Sequence, residues 1–134
     1  MKPVVEKIYQ LDWDYPNPFT VSVKVSDNDI DQLGHTNNQV YLDWMMKAAY
    51  GHSESLGLSV NDYLSIGVAM VAKRHEINYM SATFLNDNLI VGTWIATNDN
   101  RFQSMRKYQI IRTNDQKTTL RAETDWVSLN IDNG

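Results

Sequence analysis

In the run TVSVKV (residues 20–25), Val21, Val23 and Val25 alternate with Ser22 and Lys24, the period-two pattern of a strand with one buried face. The period then changes. Tyr41, Trp44, Met45, Ala48 and His52 recur at spacings of three and four, which puts them on one face of a helix and predicts the main helix of the chain. Asn37 or Asn38 can cap its start by accepting a free backbone N–H of the first turn, and Gly57 with Leu58 marks a stop. Ser59 followed three residues later by Asp62 predicts a second, shorter helix or turn.

After Gly67 the chain reads as strands: VAMVAKRHEINY, NLIVGTWIATN, RFQSMRKYQIIRT and TTLRAETDWVSLNI. The Asn/Asp clusters at residues 98–100 and 114–117 are turn signals, because their side chains mimic backbone hydrogen bonds and tolerate positive φ. Three successive hairpin-like connections are therefore expected. The order is strand, long helix, then four mostly antiparallel strands, with no glycine-rich phosphate loop. This is an α+β pattern rather than a doubly wound sheet. A sheet of about five long strands facing one helix should curve around it. Its convex face then needs solvent or a partner, and Trp94, Tyr108 and Trp126 are the large side chains expected to supply a subunit interface there. The first 19 residues, with WDYPNPF, read as an irregular arm that packs its rings on the body.

Composition narrows the class. A length of 134 residues with 43% hydrophobic, 21% charged and 10% aromatic positions fits one globular domain, residues 1–134, with a single core. No apolar run approaches the roughly 20 residues that span a bilayer, and the N-terminus lacks the apolar core of a signal peptide. A cytoplasmic protein with no membrane association is expected. With no cysteine, disulfides, thiol catalysis and the usual zinc sites are excluded. A net charge of −4 argues against non-specific nucleic-acid binding. The balance is uneven, −5 up to residue 72 and +1 from Lys73 onward, and the basic residues of the second half fit ordinary exposed strand positions.

The densest chemistry lies in NDIDQLGHTNNQVYLDW, residues 28–44. Alternating carboxylates from Asp27 suggest a calcium loop, but its sixth position is Gln32 where glycine is needed and its twelfth is Asn38 where a bidentate glutamate is needed. No metal or other cofactor is expected. A structural reading is available for every residue: Asp and Asn cap and turn, and Gly34 supplies an awkward backbone angle.

The whole pattern nevertheless resembles a family. Asp29, Asp31, Gly34, His35, Asn37, Asn38, Tyr41, Leu42 and Trp44, in the spacing DxDxxGHxNNxxYLxW, are similar to the signature of hotdog-fold acyl-CoA thioesterases related to 4-hydroxybenzoyl-CoA thioesterase and to acyl-ACP thioesterases. RHEINYMSATFLNDNLIVGTW, residues 74–94, resembles a later segment of the same family in register.

The resemblance implies a hotdog fold, a curved antiparallel sheet wrapped around one long helix. It also implies a homodimer or homotetramer with the active site at the dimer interface. There the positive end of the helix dipole and its free N–H groups polarise a thioester carbonyl. The catalytic carboxylate falls on Asp31, as nucleophile or general base, and the polarising N–H falls at or near Asn38. His35 would orient or hydrogen-bond near the thioester, or tie down the turn. Gly34, Asn37 and Tyr41 would contact substrate, with helix capping the favoured role of Asn37. Acyl-ACP thioesterases often carry asparagine two residues after the carboxylate, where this chain has Leu33, which favours acyl-CoA over an ACP substrate. Glu54 lies near the far end of the predicted helix, and alternation accounts for His75 and Glu76. Lys73, Arg74, Arg101, Arg106, Lys107 and Arg112 are candidates for the coenzyme A phosphates by charge alone. The implied activity is hydrolysis of a fatty or aromatic acyl-CoA. The rivals are an acyl-CoA hydratase or dehydratase on the same fold and a non-catalytic acyl-CoA binder.

Overall fold

The two periodicities resolve into one antiparallel sheet and one long helix. The computed structural model describes residue 8 and residues 10–98 and 103–132. In chain order the elements are β1 (Phe19–Lys24), a 3-10 turn (Asp27–Asp29), α1 (Asn38–Ser55), α2 (Val60–Ser65), β2 (Val68–Tyr79), β3 (Asn88–Asn98), β4 (Gln103–Arg112) and β5 (Lys117–Asn130). The sheet order is β1-β3-β4-β5-β2, and every pairing is antiparallel. The α+β hotdog architecture expected from the sequence is the one observed.

Helix α1 buries Tyr41, Trp44, Met45, Ala48 and Ala49 against the concave face, where Leu89, Val91, Ile110 and Leu120 meet them. Each large apolar side chain removed from water here contributes roughly 1.5–3 kcal/mol. Val25, fully buried just beyond β1, joins this core with Val21 and Val23 packed against it. At the far end of the helix, Phe19 stacks on His52 with ring centres 5.1 Å apart. Arg106 of β4 donates to His52 Nδ1 at 2.8 Å, which ties the last turns of α1 to the middle of the sheet.

Two expectations require correction. Of the three hairpin-like connections, β3–β4 and β4–β5 join neighbouring strands, but β2 pairs with β5 and β3 pairs with β1 and β4. Residues 80–87 therefore cross the end of the sheet instead of turning back. Their turn-forming residues fix chain reversals locally, while pairing partners are set by the global packing. The turn assigned to residues 98–100 lies, beyond Asn98, outside the described residues, as does Arg101.

The convex face is the second correction. Tyr108 and Trp126 belong to the core beside the helix, because strand parity puts them opposite Gln109 and Arg121. Trp94 does face outward, yet it is covered by the chain's own arm. Trp13 and Tyr15 pack edge-on against Trp94 at 5.8 and 5.4 Å, and Trp94 Nε1 donates to the Pro16 carbonyl at 3.0 Å. Buried Gln109 holds the same arm, accepting from the Asp14 N–H at 2.9 Å and donating to the Asp12 carbonyl at 3.2 Å. Arg121 adds a fork to Asp14 at 2.7 and 2.9 Å.

A Cβ at Gly92 would lie 2.5 Å from Trp13 Cζ3, so Gly92→Ala should displace the arm and cost about 1–3 kcal/mol. Urea unfolding of Gly92→Ala in parental and Trp13→Ala backgrounds checks this; equal costs in both would show that the arm is not what the methyl meets.

Burial and the neighbouring Arg106 hold His52 below the ordinary histidine value, and burial does the same to His75. Between the unfolded value of about 6.5 and the lower folded one, the unfolded chain binds more protons, so stability falls as pH drops through that window. Thermal melting at pH 7.5 and 5.0 should show the loss, reduced in His52→Gln. An identical pH shift in parent and variant would exclude His52 as its source.

Candidate active site

A tight loop carries the carboxylate to the helix mouth. Ile30 and Thr36 form an isolated antiparallel bridge that closes residues 31–35. Inside it the Asp31 N–H donates to the His35 carbonyl at 2.8 Å and the Gly34 N–H to the Asp31 carbonyl at 3.1 Å. Gly34 sits at φ +81°, and a Cβ there would meet nothing within 4 Å, so backbone angle rather than space requires glycine. Asp31 Oδ1 accepts from the Leu33 N–H at 2.9 Å and the His35 N–H at 3.3 Å. These bonds fix the carboxylate's orientation and leave Oδ2 without a hydrogen bond among the described residues.

Asp29 acts differently. Its Oδ2 accepts from Ser26 N–H and Oγ at 2.9 and 3.0 Å, which caps the 3-10 turn. The alternating carboxylates are thus divided between a cap and a cleft.

Helix α1 begins beside this loop. Asn37 is the cap: its Oδ1 accepts from the Gln39 N–H at 3.0 Å, and its carbonyl accepts from the Val40 N–H at 3.0 Å. Of the first three helical N–H groups, only that of Asn38 makes no hydrogen bond among the described residues. It points along the positive end of the helix dipole.

Three hydroxyls lock loop, crossover and helix together. Thr36 donates its N–H and its Oγ1 to the Thr83 carbonyl at 3.0 and 3.1 Å, its Oγ1 also meets Thr83 Oγ1, and Thr83 Oγ1 meets Tyr41 Oη at 2.8 Å. Thr36, Tyr41 and Thr83 are all buried. Sequence reasoning missed Thr36 and Thr83, and no local signal marks Thr83, which lies 47 residues beyond Thr36.

The result is an open cleft of about 470 Å³ lined by Asp31, His35, Asn37, Asn38, Tyr41, Tyr79 and Met80 among others. Five of the six expected site residues line it directly. Gly34 shapes its rim through the loop. His35 packs edge-on to Phe84 at 5.3 Å and stays exposed. Among the described residues no lysine or arginine lines it. Burial and nearby Tyr41 raise the Tyr79 phenol, so it is a neutral wall.

The candidate phosphate contacts divide. Arg106 is 5% exposed, a correction to its reading as a surface cation. Arg112 is committed to Asp115 and the Ala82 carbonyl, Lys107 to Tyr15 on the convex face, and Arg74 to Glu76 and Asp125. Lys73, the extra residue where the β2–β5 register shifts, is exposed. Glu54 lies at the opposite end of α1, and His75 Nδ1 meets Thr124 Oγ1 at 2.7 Å, an interstrand contact.

Residues 25–134 match the model of the thioesterase-like superfamily. A 1,4-dihydroxy-2-naphthoyl-CoA thioesterase from Synechocystis superposes with a TM-score of 0.78 at 22% identity, covering 86% of this chain and 84% of that one. A hypothetical protein from Staphylococcus aureus, solved in complex with CoA, superposes with a TM-score of 0.80 at 18% identity over 87% of this chain and 72% of its own. An acyl-ACP thioesterase from Bacteroides thetaiotaomicron gives 0.78 at 19% identity over 84% of this chain, which spans only 46% of that longer protein. Among the described residues no helix is long and apolar enough to cross a membrane.

Thr83→Val should strand the Tyr41 hydroxyl and one Thr36 contact, at a cost of about 1–3 kcal/mol, whereas Thr83→Ser should recover most of it. Chemical denaturation of both variants decides; equal stability of Val and Ser would remove the hydroxyl from the account.

Proposed function

The chain belongs to the thioesterase-like superfamily, and from that premise we propose that it hydrolyses an acyl-coenzyme A thioester to a carboxylic acid and free coenzyme A at the cleft beside Asn38. The observation that carries the reading is the pairing of an anchored Asp31, one oxygen free, with an unbonded Asn38 N–H in the same cleft. In this reading the thioester carbonyl oxygen accepts from Asn38, where the helix dipole stabilises the charge that develops as the carbon becomes tetrahedral. Asp31 Oδ2 either removes a proton from the attacking water or attacks the carbonyl itself. The first route forms the C–O bond from water and breaks C–S directly, with the thiolate leaving as coenzyme A. The second expels the thiolate first and leaves an aspartyl anhydride for water to open.

Leu33, Tyr79 and Met80 give the otherwise polar cleft one apolar side, and the absence of a lysine or arginine among its described lining residues favours a neutral fatty or aromatic acyl group over a diacid. The choice of coenzyme A is supported by the CoA-bound neighbour and by Leu33 in place of asparagine.

A second copy completes the site in this proposal. Strand β2 is an outer strand of the sheet, twelve residues long, and an exposed edge of that length is a template for pairing with another chain. It ends at Tyr79, on the wall of the cleft, so a β2-to-β2 dimer would place a neighbour against the open side.

Thiol release from a panel of acyl-CoAs should fall by about 10²–10⁴-fold in Asp31→Ala, with sedimentation reporting a dimer. The chain has no cysteine of its own to raise the background. Parental rates in Asp31→Ala, or water addition to an enoyl-CoA in place of release, would overturn the assignment. Single turnover in H₂¹⁸O identifies the anhydride route where water opens the anhydride at the aspartyl carbon, because label then enters the Asp31 carboxylate, which the direct attack of water never gives.

A further inference from the structure

The middle of the convex face is built from side chains that water does not reach. Strand parity puts Ile90 and Trp94 of β3 and Gln109 and Ile111 of β4 on that side, away from α1, and each is at most 9% exposed. The described segment seated there is the arm, residues 11–18, whose rings and carbonyls meet Trp94.

Local features of the sequence hold the arm in place. Asn17 sits at φ +57° and turns the chain back from β1 over the sheet, in a backbone region that asparagine enters more readily than most side chains. Gly92 leaves the strand backbone bare where the Trp13 ring lies on it. Gln109 stands in for a neighbouring strand: its side-chain amide satisfies the Asp14 N–H and the Asp12 carbonyl. The Arg121 fork to Asp14 and the Lys107 bond to Tyr15 Oη at 3.0 Å fasten the outer side. Asp12, Asp14, Tyr15, Pro16 and Asn17 are exposed, so the arm turns two carboxylates outward and exchanges an apolar face for a mostly polar one.

Sheets that stack face to face lie about 10 Å apart, with the gap filled by their own side chains. No room is left for an intervening segment. The arm and the convex face of a second copy therefore exclude one another. Competition favours the arm, because a tethered segment acts at an effective concentration on the order of millimolar. Without it, the face around Trp94 would be an exposed apolar patch, and identical patches can pair about a two-fold axis.

We propose that residues 11–18 are a tethered plug on the convex face, and that a second copy of the chain takes their place by sheet-on-sheet packing once they are displaced. With the plug seated, assembly through this face is closed. Neither hydrolysis at Asp31 nor pairing along β2 enters, because the surface is separate from both.

Sedimentation of the full chain and its variants at equal concentrations provides the test. Trp13→Ala combined with Asp14→Ala should double the number of chains per assembly relative to the parent. Arg121→Ala, a change confined to the surface, should do so at higher concentration. Adding Trp94→Arg to the double variant should restore the parental mass, since the new contact runs through that face. A synthetic peptide of residues 11–19, LDWDYPNPF, supplied at about millimolar concentration should restore it as well, which misfolded material would not allow. The parental mass reports pairing along β2 separately. Parental mass in both arm variants, or an enlarged assembly that survives Trp94→Arg or the peptide, would overturn the proposal.

Discussion

The hydroxyl chain from Thr36 through Thr83 to Tyr41 is the constraint on which the polar end of the molecule depends. Helix α1 is held in the sheet by apolar burial, which is non-directional and would tolerate sliding along the helix axis. Hydrogen bonds buried from water do not tolerate it, because each broken one leaves a desolvated group. Thr83 sits on the segment that crosses the end of the sheet, Thr36 on the stem of the Asp31 loop, and Tyr41 in the first turn of the helix. One small network therefore sets the height of the helix mouth relative to the carboxylate. That height decides whether a carbonyl can reach both.

The two ends of α1 present opposite electrostatic problems, and the structure treats them differently. At the N-terminus, Asn37 caps the Gln39 N–H and leaves that of Asn38 open to the cleft. At the C-terminus, Arg106 reaches from β4 to His52 and Ser53, a cation placed where the helix carbonyls favour one. His52 must accept through Nδ1, so its proton resides on Nε2, and the stacked Phe19 shields that ring. Burial and Arg106 both favour the neutral imidazole, which agrees with its role as acceptor.

Much of this was legible in the sequence. The valines of TVSVKV, the three-and-four spacing from Tyr41 to His52, the Ser59–Asp62 cap and the strand segments all appear where the pattern puts them, because each is decided by neighbours within a turn or a strand. That Asp31, Gly34 and Asn38 lie together at the helix mouth was readable for the same reason: the loop is closed by its own backbone. What escaped detection depends on pairing between distant segments. The crossover at residues 80–87 has the composition of a turn, and only the order of the strands reveals that it spans the sheet. Tyr108 and Trp126 were assigned to the wrong face since a shift of one residue exchanges every side chain of a strand, and alternation alone does not say which parity faces the helix. Thr83 is indistinguishable in the sequence from any exposed threonine.

Arg106 shows the same limit most sharply. Nothing within ten residues of it in the sequence is unusual for an exposed strand, and its charge reads as a surface contact. Its burial follows from register: Thr124 opposite on β5 and Ile95 opposite on β3 put it on the face that the helix covers. A chain gains no stability by burying a lone guanidinium where a leucine would pack, since desolvation outweighs hydrogen bonds to neutral partners. What holds the arginine there is its set of hydrogen bonds to His52, Thr93 and Ser53 at the C-terminal end of α1, where the helix carbonyls favour a cation. The open cleft at one end of the helix and the cavity at the other are each lined by its terminal turns, Asn38 and Tyr41 in the first and Ser53 and Glu54 in the second.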